Sequence, residues 1–285
     1  MTPTPEGERQ KERARESVEP LEPNERKKAR EEESLNAKIT HEVVRIEGEK
    51  ELERTSAALW WAALAGGLSM GFSLVAEGLL RAHLPDAPWR PLITKMGYPV
   101  GFIIITLASH QLFTENTVTP IVPLLRKKTL AMLRNVARLW GIVFVGNIVG
   151  VIIFAWMLAR TELFEPDVKK AFEDIGREAI RASFLVTLWR GVGAGWLIAL
   201  MVWMLPAASS SKVAVVGIMT YLVGLGGLAH IVAGSADVLV LVANGLIGWG
   251  TYISSFMIPA LVGNAAGGLA FVAALNHAQV ATDSA

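Results

Sequence analysis

The sequence predicts an all-α membrane protein with six transmembrane helices, of which the second and the fifth are broken. Of its 285 residues, 52% are hydrophobic, and the mean hydropathy of +0.40 is too high for an ordinary soluble domain. The apolar residues lie in six long blocks, each close to the roughly 20 helical residues that a hydrocarbon core requires. Two of these blocks are interrupted by polar residues and glycine, one of them also by prolines.

The first 54 residues differ in composition from the rest. Met1 to Arg54 contain 12 Lys or Arg and 15 Asp or Glu, with few residues that could form a core. We therefore predict a charged, largely disordered cytoplasmic tail over residues 1–54, a transmembrane domain over residues 55–278 and a short tail over residues 279–285. Alternating charges from about Asn24 onward indicate a partial surface helix, and this mixture of charges does not indicate nucleic-acid binding.

Six predicted spans follow the tail. The first, third, fourth and sixth are uninterrupted, and their length and apolar composition predict one continuous helix each. The second contains SHQLFTENTVTP and the fifth contains GLAHIVAGSAD, which predict breaks lining a cavity or buried in protein. The predicted spans are Ala57–Leu80, Gly97–Leu125, Leu139–Ala159, Phe184–Leu205, Val213–Val242 and Gly250–Leu275.

Charges between the spans predict their orientation in the bilayer. The segment RKKTLAMLRNVAR, between the second and third spans, has five basic residues and no acidic one, which indicates a cytoplasmic loop. Because the number of spans is even, both termini are then cytoplasmic. The loop between the third and fourth spans also has five basic residues, beside six acidic ones, and its section AFEDIGREAIRASF predicts a helix.

Matching features predict two homologous halves. Asn147 in VGNIVG and Asn264 in VGNAAGG are 117 residues apart, and Thr114 and His230, in the two breaks, are 116 apart. Each half has three spans, so the second half is predicted to be inverted relative to the first. Broken helices at corresponding positions of inverted halves indicate a transport pathway near the middle of the membrane.

The motifs of this chain resemble those of the formate/nitrite transporter family from about Ala57 to Leu275. The resemblance is carried by GYPVGF followed by LFTEN, then VGNIVG, GWLIALMVWML, GLAHIVA and MIPALVGNAAGG, in that order. It implies an aquaporin-like protomer that assembles as a homopentamer in a bacterial inner membrane. It also implies a channel-like pathway for a small monovalent weak-acid anion such as formate or nitrite, linked to a proton.

The resemblance also implies roles for particular residues. Thr114 and His230 match the threonine and the histidine at the centre of the family's pathway. Phe102, Phe113 and Val223 match the apolar constrictions around that centre.

Other polar residues add to this pattern. Glu115 occupies a position that is small in many family members, and it either handles protons or charge or forms a structural ion pair, for example with Arg190. Arg190, Asp237 and His110 are further candidates for proton or charge handling. Asn147 and Asn264 are predicted to be structural, bonding across closely packed helices. Gly195 lies where the family often has asparagine.

Two other functions stay open. Glu115 and Asp237 add negative charge, which also fits a pore for another small neutral or cationic solute. In the second alternative, the pore is closed and the tail binds a cytosolic partner, so that the protein is a membrane scaffold. The sequence has no cysteine, and its spans contain no paired metal ligands and no nucleophile with a base at helical spacing. We therefore predict no enzymatic activity, no metal and no cofactor.

Overall fold

The computed structural model of the chain describes residues 39–282, apart from the side chains of residues 209, 273 and 275–282. The chain divides into two compact units, Met1–Glu42 and Val43–Ala285. Most of the predicted disordered tail lies outside the described residues, so its disorder and the boundaries at residues 54 and 278 stay predictions.

All regular secondary structure between residues 39 and 282 is helical. Four helices in this described part of the chain are long and apolar enough to cross a membrane, and the other two predicted spans are each built from two shorter helices. The predicted all-α membrane fold with broken second and fifth spans is confirmed. Apart from the short helix Arg90–Thr94 and three 3-10 turns, the helices are α1 (residues 39–53), α2 (Ser56–His83), α3 (Pro99–Leu107), α4 (Ile121–Lys127), α5 (Leu130–Arg160), α6 (Pro166–Ile180), α7 (Phe184–Met204), α8 (Lys212–Leu225), α9 (Ile231–Ala243) and α10 (Ile258–Thr282), the last preceded by Trp249–Tyr252 and a π-helical turn, Ile253–Met257.

Local sequence explains where several helices begin. Thr55 and Thr129 precede α2 and α5, and each hydroxyl accepts a hydrogen bond from the backbone N–H three residues further on. Pro99 and Pro166 occupy the first position of α3 and α6, where a missing N–H costs nothing. Of the section 171–184 that was predicted to be helical, residues 171–180 lie in α6, residues 181–183 are not helical and Phe184 begins α7.

Two glycines allow the long helices to pack at backbone distance. A Cβ atom on Gly67 of α2 would lie 2.2 Å from the carbonyl oxygen of Asn147 on α5. A Cβ atom on Gly195 of α7 would lie 2.2 Å from the carbonyl oxygen of Asn264 on α10. These equivalent close approaches support the predicted repeat.

Both broken spans end their first helix in the same way. After α3, the N–H of His110 donates to the carbonyl oxygen of Ile105 over 3.0 Å. After α8, the N–H of Leu228 donates to the carbonyl oxygen of Val223, also over 3.0 Å. A bond of this kind, from an N–H to the carbonyl oxygen five residues earlier, forms at a helix C-terminus when the residue before the donor is in the left-handed region.

The left-handed residues themselves correspond between the halves. Ser109 has a φ of 54° and Gly227 a φ of 58°, and these residues are 118 apart, as are the two donors of the closing bonds. Glycine adopts this conformation freely, whereas serine does so at a cost. The two breaks therefore share one backbone design, which again supports the repeat.

The second break is shorter than predicted. We expected residues 227–237 to interrupt the fifth span, but α9 begins at Ile231 and already contains Asp237. The ring nitrogen Nδ1 of His230 accepts the N–H of Ala233 over 3.1 Å and so caps the new helix. The break is limited to residues 226–230 because this histidine restarts the helix.

Asn147 ties the first break to the long helices. Its Nδ2 donates to the carbonyl oxygens of Ala63 (2.7 Å) and Gln111 (2.8 Å), and its Oδ1 accepts the N–H of Phe113 (2.9 Å). These three bonds satisfy backbone groups that have lost their helical partners or face a helix surface.

Asn264 makes the same contacts in the second half. Its Nδ2 donates to the carbonyl oxygens of Gly191 (2.9 Å) and Ala229 (2.7 Å), and its Oδ1 accepts the N–H of Ile231 (2.8 Å). The structural role of both asparagines stays a prediction, and these six bonds support it.

Residues 43–53 of α1 pack one face onto the membrane domain. Val44, Gly48 and Leu52 are buried at intervals of four residues, and a Cβ atom on Gly48 would lie 2.0 Å from the carbonyl oxygen of Thr119. Arg138 donates to the carbonyl oxygen of Leu52 over 2.8 Å at the end of the helix. The charge pattern indicated a surface helix but not this buried face.

We expect Asn147→Leu to lower the free energy of unfolding by about 3 kcal/mol, because three buried hydrogen bonds of about 1 kcal/mol each are lost. Asn135→Leu is the matched control, since Asn135 lies exposed on the same helix. Denaturation of both variants in detergent measures the difference. Equal stability of the two variants would contradict the tie between Asn147 and the first break.

The attachment of α1 is expected to depend on pH. Hydrogen bonds from Lys127 (3.1 Å) and Arg45 (2.7 Å) lower the pKa of Glu49 below its ordinary value of 4.5. The contribution of Glu49 to the attachment of α1 is therefore present above pH 4.5 and is lost as the pH falls through the lowered pKa. Glu49→Gln should accelerate hydrogen exchange in residues 43–53 at neutral pH and not at strongly acidic pH. Glu53→Gln, at an exposed position, is the control, and equal acceleration by both variants would refute this attachment.

Candidate functional site

Two cavities lie at opposite ends of α8. One has a volume of about 190 Å³ and is lined by Leu225, the last residue of α8, and by His230; we call it the His230 cavity. The other has a volume of about 600 Å³ and is lined by Lys212, the first residue of α8, and by Glu115; we call it the Glu115 cavity. The two predicted breaks thus each reach one cavity.

A hydrogen bond between Thr114 and His230 lies where the two breaks meet. The distance between Thr114 Oγ1 and His230 Nε2 is 2.7 Å, and both residues are fully buried. Because Nδ1 of His230 accepts the N–H of Ala233, the hydrogen of the neutral ring is on Nε2, which donates to the threonine oxygen. Within residues 39–282, no group accepts the hydrogen of the Thr114 hydroxyl, so that hydrogen can be donated elsewhere.

The three predicted constriction residues are all buried near this pair. The ring of Phe102 meets the His230 ring edge to face, with centroids 4.9 Å apart. Val223 is fully buried at the end of α8. Phe113 precedes Thr114, and its ring packs against Trp140 at 5.8 Å and against a second aromatic ring of α5. The breaks therefore place a polar pair inside an apolar surrounding.

Glu115 lines the wall of the Glu115 cavity, and the hydrogen bonding of one of its carboxylate oxygens is unusual. Its Oε1 is buried and has no hydrogen-bond partner among the described residues, as is also true of the Thr106 hydroxyl in the same wall. His110 lines this cavity too, and its Nδ1 lies 3.1 Å from the hydroxyl of Ser69. A carboxylate oxygen without a donor is ready to take up a proton or a ligand that donates.

Helix α1 supplies one face of the Glu115 cavity. Glu47, Lys50, Glu51 and Arg54 line it at the spacing of a single helix face, and Nε2 of Gln111 donates to Oε2 of Glu51 over 2.9 Å. From the sequence, these residues were predicted to lie in a charged, largely disordered tail. Their spacing of three, four and seven residues was a signal from which this face could have been found.

The His230 cavity contains Arg190 and Asp237, as well as Thr187, which the sequence analysis missed. The hydroxyl of Thr187 is buried without a hydrogen-bond partner among the described residues. No motif marks this threonine, because its lack of a partner is visible only in three dimensions. Glu115 and Arg190 line different cavities, so the ion pair considered from the sequence is not formed.

Two ion pairs, one of them largely buried, balance part of the charge around the His230 cavity. Nζ of Lys95 lies 2.6 Å from Oε2 of Glu77, whose side chain is almost fully buried in α2. Glu178 of α6 pairs with Arg81 over 2.8 Å. The lysine and the second glutamate line the cavity, but their charges are compensated.

The family model described as formate/nitrite transporter matches residues 38–278 of the chain. The chain belongs to the formate/nitrite transporter family. The family consists of channels and transporters rather than enzymes, and the chain is accordingly a multi-pass membrane protein.

Among curated members of the family, the inner membrane protein YfdC of Escherichia coli K12 is 43% identical over 247 residues, which cover 87% of this chain and 80% of YfdC. The formate channel BtFdhC of Bacillus thuringiensis is 27% identical over 241 residues, covering 81% of this chain and 90% of the channel. The similarity extends over most of each protein.

Solved structures show the same fold. A pentameric formate channel with formate bound superposes with a TM-score of 0.65 at 20% identity, covering 78% of this chain and 96% of the channel. A formate/nitrite transporter family ion channel gives a TM-score of 0.62 at 18% identity, covering 84% and 96%. At these identities the likeness concerns the fold alone.

Two buried carboxylates near the broken spans should respond differently to neutralisation. Glu77→Gln leaves the charge of Lys95 without its partner, so we expect a loss of about 3 kcal/mol in the free energy of unfolding. Glu115→Gln breaks no hydrogen bond of the buried Oε1 and should not lower stability at neutral pH. Thermal denaturation in detergent compares the two variants, and a larger loss for Glu115→Gln would show that this oxygen has a partner in the folded protein.

Proposed function

We propose that this chain is a channel-like transporter for a small monovalent weak-acid anion of the formate or nitrite type, with passage linked to a proton through His230. The observation that carries this proposal is the fully buried hydrogen bond of 2.7 Å between Thr114 and His230. It lies between a cavity that reaches His230 and a cavity that reaches Glu115, the neighbour of Thr114.

The cost of desolvation explains why this pair controls passage. A bare anion that leaves either cavity loses its water among Phe102, Val223 and other buried apolar side chains, which is expensive. The Thr114 hydroxyl offers its free hydrogen to an oxygen of the anion, while Nε2–H of His230 supports the threonine oxygen. While it accepts the hydrogen bond that His230 supports through Thr114, the anion takes up a proton from a hydronium ion of the aqueous solution, which becomes water, so the species that crosses the apolar centre is the neutral acid.

The histidine is suited to act without becoming charged. Protonation of Nδ1 would end its acceptance of the Ala233 N–H and remove the cap of α9. The neutral ring is therefore favoured, and it donates through Nε2. His230 is the residue that caps the N-terminus of α9, and the partial positive charge of this helix end favours an anion beside His230.

We further propose a homopentamer in the inner membrane with both termini in the cytoplasm. The pentameric formate channel that shares this fold and the inner membrane protein YfdC support the assembly and the location. The basic loop between the second and third spans supports the orientation.

A second candidate function is a pore for a small neutral or cationic solute. The free Oε1 of Glu115 in the wall of its cavity favours this alternative, because it accepts hydrogen bonds and repels anions. Reversal potentials in formate gradients and in ammonium gradients distinguish the two functions. A potential that follows the cation would replace the anion proposal.

We expect Thr114→Val to lower formate and nitrite flux in proteoliposomes at least tenfold, since the loss of one hydrogen bond of about 1.4 kcal/mol in the barrier corresponds to tenfold in rate. His230→Ala should have a similar or larger effect. Thr114→Ser keeps the hydroxyl and should retain most of the flux.

Thr161→Val is the control for these variants, because Thr161 is exposed at the end of α5. Undiminished flux in Thr114→Val and His230→Ala would remove the pair from the mechanism. Absence of flux in the wild-type protein for every tested solute would favour a closed-pore scaffold instead.

A further inference from the structure

Thr187 in α7 has a hydroxyl without a partner in the wall of the His230 cavity. The residue is 1% exposed, and its Oγ1 makes no hydrogen bond within the described residues. A threonine in a helix commonly bonds its hydroxyl to the carbonyl oxygen four residues earlier, but here Ser183 O accepts only the N–H of Thr187. Buried hydroxyls nearly always have a partner, so this one calls for a bound group that accepts its hydrogen.

Arg190 lies one helical turn further along α7 and lines the same cavity. Its side chain is exposed, and among residues 39–282 no ion pair involves it. The guanidinium presents a planar fork of donors. Such a fork matches the two oxygens of a carboxylate or a nitrite ion.

Other groups of the His230 cavity also affect the potential that an anion would meet beside Thr187 and Arg190. Lys95 and Glu178 are compensated by Glu77 and Arg81, so their fields largely cancel. Helix α7 begins at Phe184, so Thr187 lies close to the positive end of its dipole. Asp237 lines the same cavity, so an acidic side chain also lies in its wall.

The pair also lies beside the route to His230. A Cβ atom on Gly193, the next turn of α7, would lie 3.3 Å from the side chain of Leu228 in the second break. The face of α7 that carries Thr187 and Arg190 therefore adjoins the loop that ends at His230.

We propose that Thr187 and Arg190 form an anion-binding site in the His230 cavity, which holds a small planar oxyanion of the carboxylate or nitrite class before it reaches His230. The Thr187 hydroxyl donates one hydrogen bond to the anion and the guanidinium supplies the others. This inference rests on the proposed function for the direction of travel, but the binding itself does not depend on transport.

Two variants test the site in proteoliposomes with formate and with nitrite. Thr187→Val and Arg190→Gln should each raise KM about tenfold, because a hydrogen bond to a charged ligand contributes enough for such a change. Each should raise KM more than it lowers the maximal flux. Because the Thr187 hydroxyl has no partner among the described residues, Thr187→Val should unfold at the same or a higher temperature than the wild type.

Arg160→Gln and Thr161→Val are the matched controls, since they remove the same groups from exposed positions at the end of α5 and should leave KM unchanged. An increase of KM in the controls equal to that in the site variants would overturn the proposal, because it would reflect surface charge or polarity alone.

Calorimetric titration of the detergent-solubilised protein with sodium formate separates the site from the transport function. His230→Ala should still bind formate, whereas His230→Ala combined with Thr187→Val should not. Loss of binding in the double variant, with no formate flux in the wild type, upholds the site and refutes the proposed function. Unchanged binding and KM in Thr187→Val, with normal wild-type flux, refutes the site and leaves the proposed function intact.

Discussion

The rest of the structure depends on the need to satisfy every backbone N–H and C=O group that is hidden from water in a membrane. A continuous helix does this by itself, whereas a broken helix leaves groups that some other residue must bind. Asn147 binds the N–H of Phe113, directly before Thr114, and Asn264 binds the carbonyl oxygen of Ala229, directly before His230. Each asparagine thus fixes the chain at the neighbour of a site residue, and this brings Thr114 and His230 within 2.7 Å.

The two halves share a backbone design, but they contribute different chemistry. The closing bonds and left-handed residues of the breaks correspond at an interval of 118 residues. At that interval His230 corresponds to Leu112, and Thr114 corresponds to Val232. The pair at the centre is therefore not related by the repeat. Equivalent scaffolds place a hydroxyl from one half against an imidazole from the other. The acceptor of the central hydrogen bond, Thr114, and its donor, His230, therefore come from different halves.

The sequence predicted features that have local causes. The breaks follow from polar residues, glycine and proline inside apolar blocks, and the asparagines follow from their matching positions. The extent of the second break was predicted wrongly because the capping of α9 by His230 depends on the orientation of its ring. The burial of α1 was readable from Val44, Gly48 and Leu52, yet the charges around them masked it. The free hydroxyl of Thr187 has no local signal, since a lone threonine in a helix usually bonds its own backbone.

The distribution of charge differs between the Glu115 cavity and the central pair. The Glu115 cavity is lined by three acidic residues, Glu47, Glu51 and Glu115, and by three basic ones, Lys50, Arg54 and Lys212. With equal numbers of each sign, the cavity as a whole has little net charge with which to reject an anion or a cation. Between the cavities, the central pair is uncharged and offers a hydrogen-bond donor, the Thr114 hydroxyl, whose own oxygen already receives the His230 hydrogen. A donor inside an apolar surrounding favours a solute that accepts hydrogen bonds, which the near-neutral Glu115 cavity does not select by its net charge.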